Sequence, residues 1–259
     1  MSKSTPDWFS DLSSEGEAQK AIADHIHAMA RHYAGEVFSW NVVNEIINPL
    51  EGRPDGLRHS PLLAKLGPSF VDFAFRMARQ ANPGVLLVYN DYGVEMDRPD
   101  HAARRRSILR LLQSWRSRGT PIDAVGLQSH LKLNGSRFDE GIYRSFLGEI
   151  AGMGFKILIT EMDVLDAKTP SDLKQRDEAV ADMYSRYLNV VLDEQAVIAV
   201  VTWGLSDRYT WLTQHSNPDY VREDAEPMRP LPFDDSFNPK PAFYAMLSAF
   251  AHAPIRKAA

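Results

Sequence analysis

The chain has 259 residues, 44% of them hydrophobic, enough for one large domain with a sizeable core. A net charge of −5 argues against a nucleic-acid binder, which needs a basic face to neutralise phosphates. With no cysteine, disulfides, thiolate metal sites and cysteine nucleophiles are excluded, and no apolar run approaches the roughly 18 residues of a membrane span.

The opening stretch, Met1-Ser2-Lys3-Ser4-Thr5-Pro6-Asp7-Trp8, carries no apolar core of a signal peptide, so the chain as given is expected to stay in the cytoplasm. Residues 10–33 read as a helix. The apolar run from Val37 to Asn44 reads as a strand, closed by Glu45. Gly67 to Ala81 places Phe70, Phe73, Ala74 and Met77 on one helical face, and residues 85–90 read as a second strand. Ala103 to Arg118 repeats the helical spacing with Ile108, Leu111, Leu112 and Trp115. A third strand is expected at 122–128, and a fourth at 156–160, closed by Glu161. Asp177 to Leu192 carries Val180, Met183, Tyr184, Tyr187 and Leu188 on one face. A fifth strand follows at 197–203, and the Pro-rich stretch from Pro218 to Pro241 reads as one long loop.

Apolar strands alternating with amphipathic helices signal a parallel sheet covered by helices. No Gly-rich phosphate loop follows any strand, which favours a barrel over an open doubly wound sheet. Five strands fall short of the eight in a (β/α)8 barrel, so the barrel is incomplete or the sheet is open. With no internal repeat and no low-complexity linker, residues 1–259 are expected to form one domain. Glu45 and Glu161 share an unusual position: each is a carboxylate terminating an apolar strand, hence at the rim of the sheet. Two such groups suit acid/base and nucleophilic work on one bond, as in glycoside hydrolysis.

Six motifs in order carry a resemblance to the family 10 glycoside hydrolases, retaining endo-β-1,4-xylanases. They are Thr5-Pro6-Asp7-Trp8-Phe9, Trp40 to Glu45, Tyr89-Asn90-Asp91-Tyr92, Gly126-Leu127-Gln128-Ser129-His130, Ile159-Thr160-Glu161-Met162-Asp163, and Thr202 to Asp207 with Trp211-Leu212. The resemblance implies an α/β fold: an incomplete TIM-type (β/α) barrel of about five parallel strands, corresponding to strands four to eight of the family. It implies that the family's sugar-binding Asn-Lys region and a Trp-His pair from its third strand are absent, with reduced activity. By the same resemblance Glu45 is the acid/base and Glu161 the nucleophile. Asn44 is expected to bond the sugar 2-hydroxyl, Gln128 and His130 to share a face, and Asp163 to fix the histidine. Trp203, Trp211 and Tyr92 would form a stacking floor for pyranose rings. Asn41 stands where the family has Asp, dropping a charge near Glu45. The substrate would be xylan or xylo-oligosaccharides, without cofactor or metal, and the parent of such a chain would be secreted.

Other features read more plainly. His25 and His32 share a helical face, but without a third ligand they are expected at the surface. Arg104-Arg105-Arg106 reads as a solvated helix face, and Asn134-Gly135-Ser136 as a turn or a glycosylation site. Two other readings stay open: a non-catalytic carbohydrate-binding remnant, and a piece of a larger protein. An unclosed sheet leaves two edges, one beside Glu45 and one beside Trp203, and an inner face carrying Val42, Val125, Ile159 and Val201. A homo-oligomer, dimer or tetramer, is therefore expected, or else an N-terminal segment plugging the gap with Trp8 and Phe9.

Overall fold

The computed structural model describes residues 5–133, 135–214 and 220–256; the Asn134 position of the glycosylation pattern lies outside them. A short turn of helix, α1 (Asp7–Ser10), precedes α2 (Glu15–His32). Ser14 and Glu17 cap each other's backbone at the start of α2, which begins the helix five residues later than the apolar pattern suggests. Strand β1 (Ser39–Asn44) follows, then α3 (Pro61–Leu66) and α4 (Phe70–Ala81). The helix expected over 67–81 is α4, which starts at Phe70; the short α3 ahead of it ends where Gly67 takes a φ of 63°.

The chain continues through β2 (Leu86–Asp91), α5 (Pro99–Ser117), β3 (Ala124–Leu127), β4 (His130–Lys132), α6 (Glu140–Gly152) and β5 (Lys156–Leu165). It ends with α7 (Leu173–Asp193), β6 (Val197–Thr202) and α8 (Pro241–His252). Every pairing between named strands is parallel, in the order β1-β2-β3-β5-β6, with the three-residue β4 beside the far end of β5. Among the described strands β1 pairs only with β2 and β6 only with β5, so this part-barrel does not close.

The sheet's two faces carry different layers. Toward the helices lies the large core, where Tyr89 packs on Trp115 and where Val125, Phe146, Ile157, Ile159, Tyr184 and Tyr187 are buried. The opposite face carries a small separate cluster of Val88, Ala124 and Leu158 with Ala199. This corrects the expected inner face. Val125 and Ile159 point to the helices and their neighbours Ala124 and Leu158 point inward, a one-residue slip on β3 and β5, whereas on β6 Val201 shares the inward face of Ala199. The N-terminal segment joins the helical layer: α2 packs on α3 and α4, and Phe9 is buried in the large core. Trp8 stays 56% exposed, so of the proposed pair only Phe9 plugs anything. His25 and His32 lie at the surface, as expected.

From Tyr220 to Lys240 the Pro-rich stretch is a loop, but buried charges pin it to the barrel. Asp166, just past β5, accepts from Arg176 at 2.7 and 3.0 Å and from the Arg229 amide at 3.1 Å. Arg222 donates to the Asp166 carbonyl at 2.6 Å, and Lys240 pairs with Asp207 at 2.7 Å. Breaking a buried pair leaves an uncompensated charge and costs roughly 3–5 kcal/mol, whereas an exposed pair is worth about 0–1 kcal/mol. Arg176→Met is therefore expected to lower stability in urea by about 3 kcal/mol, since Arg222 remains within 4.0 Å of Asp166. Lys168→Met, which removes an exposed partner of Glu223, should leave the urea midpoint within error.

Candidate active site

Three strand ends bring side chains into one cleft, and each does so through irregular backbone. At the end of β1, Glu45 takes a φ of 55° while its amide bonds the Asn90 carbonyl at 2.9 Å. Between β3 and β4, Ser129 takes a φ of 65°, so Gln128 and His130 reach the cleft across a kink and not along one straight strand. In β5 the register with β6 shifts between Ile159 and Met162. As a result two consecutive residues, Thr160 and Glu161, both bond Asn90. Left-handed backbone at a non-glycine residue persists only where its surroundings impose it. For Ser129 the surroundings are clear: its amide donates to the buried Glu95 at 3.2 Å, and its hydroxyl bonds Tyr187.

A chain of amides connects the two glutamates. Gln128 Nε2 donates to Glu45 Oε1 at 3.1 Å and to Asn44 Oδ1 at 3.2 Å. Asn90 Nδ2 donates to that same Asn44 oxygen at 3.0 Å and to Glu161 Oε1 at 2.9 Å. Gly126 makes room for this arrangement, because a Cβ there would stand 2.3 Å from Asn90 Oδ1.

His130 lies between two carboxylates, Nδ1 at 2.9 Å from Asp163 and Nε2 at 3.2 Å from Glu161. Burial disfavours its charge, but the hydrogen bonds to Asp163 and Glu161 more than offset that and raise its pKa to about 10. Trp211 donates to the other Asp163 oxygen at 2.8 Å, with its ring 5.2 Å from His130. Trp203 stands edge-on to the same histidine at 6.5 Å and is 47% exposed, which excludes a core role for it.

The other expected residues divide. Tyr92 is at the rim, but guanidiniums flank its ring: Arg104 lies 4.4 Å and Arg58 5.4 Å from its centroid. Asn41 is exposed and lines a cavity with His25, Trp40 and Val42, about 13 Å along the strand from Glu45. Arg104 and Arg105 are not a solvated face. Arg104 bonds the Ile47 carbonyl at 2.6 Å and lies 3.7 Å from Asp91, and Arg105 bonds the Val94 carbonyl at 2.6 Å. Only Arg106 of the three is exposed. Asn90, Arg58, Glu95 and Thr160 join the site without being among the residues expected from the sequence. Asn90 carried a usable signal, since asparagine is disfavoured within an apolar strand.

Paired carboxylates at the ends of β1 and β5, on one rim of a parallel part-barrel, are the kind of arrangement that glycoside hydrolysis uses. The chain belongs to glycosyl hydrolase family 10, whose model matches residues 2–249. An endo-1,4-beta-xylanase of Geobacillus stearothermophilus is 31% identical, with 94% of this chain and 73% of that protein covered. Endo-1,4-beta-xylanase B of Thermotoga neapolitana is 29% identical over 93% of this chain and 64% of its own length. The crystal structure of xylanase 10B from Thermotoga petrophila RKU-1 in complex with xylobiose superposes with a TM-score of 0.82 at 27% identity. That match covers 97% of this chain and 71% of the other. The chain thus spans under two thirds of several curated relatives, down to 42% and 23% of two others.

The His130 geometry predicts a pH dependence. Its folded pKa lies above the ordinary value of 6.5, so its stabilising contribution is complete below about 6.5 and lost as pH rises through about 10. Calorimetric Tm should therefore fall between pH 7 and pH 10, and His130→Asn should show a shallower fall over that window.

Proposed function

We propose that this chain hydrolyses β-1,4-xylosidic bonds of xylan or xylo-oligosaccharides with retention of configuration. What supports the reading most is the single amide network that joins Glu45 to Glu161, with a cationic histidine against the second. In the first step Glu161 attacks the anomeric carbon while Glu45 gives its proton to the departing glycosidic oxygen. In the second, Glu45 takes a proton from water, the hydroxide oxygen bonds the anomeric carbon, and the Glu161 carboxylate leaves. His130, held by Asp163, supplies positive charge and a hydrogen bond beside Glu161. Asn44 accepts from Gln128 and Asn90 through its oxygen, so its amide nitrogen is the atom left to meet a sugar hydroxyl. Trp203 and Trp211 offer aromatic surface on the far side of His130 for pyranose rings.

Glu161→Ala should abolish release of reducing sugar from xylan. Glu45→Ala should lose roughly 10²–10⁴-fold on xylan, the usual worth of general acid–base catalysis, and far less in the glycosylation of an activated aryl xyloside. Equal losses on both substrates would reverse the assignment of roles. Binding of xylo-oligosaccharides without any turnover would instead favour a carbohydrate-binding remnant. The 259 residues alone are expected to turn over more slowly than longer relatives, with the deficit in kcat more than in KM.

The same reading extends to a second copy of the chain. On β6 Ile198 and Val201, and on α8 Tyr244, Leu247 and Phe250, are each at least 40% exposed. Exposed apolar side chains on an edge strand and on a helix favour association. Light scattering at micromolar concentration should report a dimer or tetramer; a monodisperse monomer would eliminate self-association.

A further inference from the structure

Glu45 is held on one side by Gln128 and on the other by a residue with no assigned role, Arg58. Arg58 Nη1 lies 3.4 Å from Glu45 Oε2, in an ion pair whose side chains are only 14% and 28% exposed. Its Nη2 donates to the Tyr92 hydroxyl, and Arg104 braces the Tyr92 ring from α5. The main chain is fixed as well. The Arg58 amide bonds the Ile46 carbonyl at 2.7 Å, and Leu57 bridges to Ile47, so the loop after β1 returns to its own start. The Arg58 Nε is buried with no hydrogen-bond partner. Leaving a buried donor unmatched is unfavourable, and such a group in a folded protein calls for an explanation.

Building on the reading of Glu45 as the acid/base, we propose that Arg58 is the positioning residue of proton transfer. It fixes the Glu45 carboxylate at the cleft wall and sets its affinity for a proton. A cation beside a carboxylate favours the ionised form. The charged groups around Glu45 are Arg58 on its own loop, Arg104 and Asp91 behind Tyr92, and Glu161 with His130 across the amide network. Arg58 and Glu161 act in opposite senses. While Glu161 is ionised its negative charge favours a proton on Glu45, as the first step requires. Once Glu161 is esterified in the glycosyl-enzyme that charge is gone, and Arg58 shifts Glu45 toward the ionised form that activates water. The loss of the Glu161 charge makes the switch, and the fixed cation beside Glu45 ensures that the base form follows it.

The direct test is the titration of the Glu45 carboxyl, followed by ¹³C NMR of labelled glutamate in the intact chain and in Arg58→Met. The midpoint should rise in the variant by about one pH unit, and stay near that of the parent in Arg58→Lys, which keeps the charge. An unmoved midpoint in Arg58→Met overturns the proposal. In kinetics, the alkaline limb of kcat/KM on xylo-oligosaccharides should move upward by the same amount, with little change in glycosylation by a reactive aryl xyloside. Equal losses on both substrates with an unmoved limb would make Arg58 merely structural. Should Arg58→Met fail to fold, Tyr92→Phe removes the hydroxyl that holds the guanidinium and should move the midpoint in the same direction by less; no shift there overturns the proposal. If the parent protein hydrolyses nothing, the proposed function fails, while the NMR titration still decides the role of Arg58.

Discussion

Four carboxylates crowd one rim of a parallel sheet, and the fold around them is organised to make that tolerable. Asp91 and Asp163 are almost completely buried, and Glu45 and Glu161 are partly so. Unpaired carboxylates in such surroundings would protonate or drive the rim apart. Three cations answer them from three elements: Arg104 from α5 near Asp91, Arg58 from the loop after β1 on Glu45, and His130 shared by Glu161 and Asp163. Asp91 shows the limit of this compensation. Burial outweighs its bonds to Tyr89, Tyr92, Arg104 and Ile47, and its pKa is pushed up to about 6. Between the two glutamates stand neutral amides, which satisfy both without adding charge.

A rim this crowded cannot be built from regular strands, because alternation would send every second side chain to the helices. The irregular backbone at Glu45, at Ser129 and in β5 near Glu161 solves this geometric problem. Each places an adjacent or next-but-one residue on the cleft side. The cost of the strain at Ser129 is offset by buried partners, Glu95, Tyr187 and Tyr143, that tie it to α6 and α7. Trp211 is tied to this rim by Asp163, while a second set of charges, Asp166 with Arg176 and Arg222 and Asp207 with Lys240, pins the long loop. Site and scaffold are therefore one electrostatic arrangement.

How much of this the sequence discloses follows from where the signals are local. Strand ends at Glu45 and Glu161 are legible because a carboxylate closing an apolar run is a contrast between neighbours. The triad of Glu161, His130 and Asp163 is legible from two-residue spacing, although Ser129 kinks the path. The inner and outer faces are not, since parallel strands are apolar on both sides and period 2 loses its contrast. Strand β4 has three residues and exists only because β5 runs long beside it. The arginine run misleads for a related reason. Successive helical residues turn about 100°, so two of three adjacent charges face inward here and only tertiary partners say which.

The comparison of the two glutamates carries the argument one step further. Glu161 is fixed from both sides by strands, through Asn90 on β2 and His130 on β4, so its position is set by the sheet itself. Glu45 takes Gln128 from the sheet but Arg58 from a loop that folds back on Ile46 and Ile47. A nucleophile must meet one carbon in one geometry, whereas an acid/base group must serve two oxygens in succession, the leaving one and then that of water. Strand support on both sides suits the first task, and a counter-charge brought by a separate loop, beside an amide from the barrel rim, suits the second. The division of labour between the carboxylates is thus already present in which elements hold them.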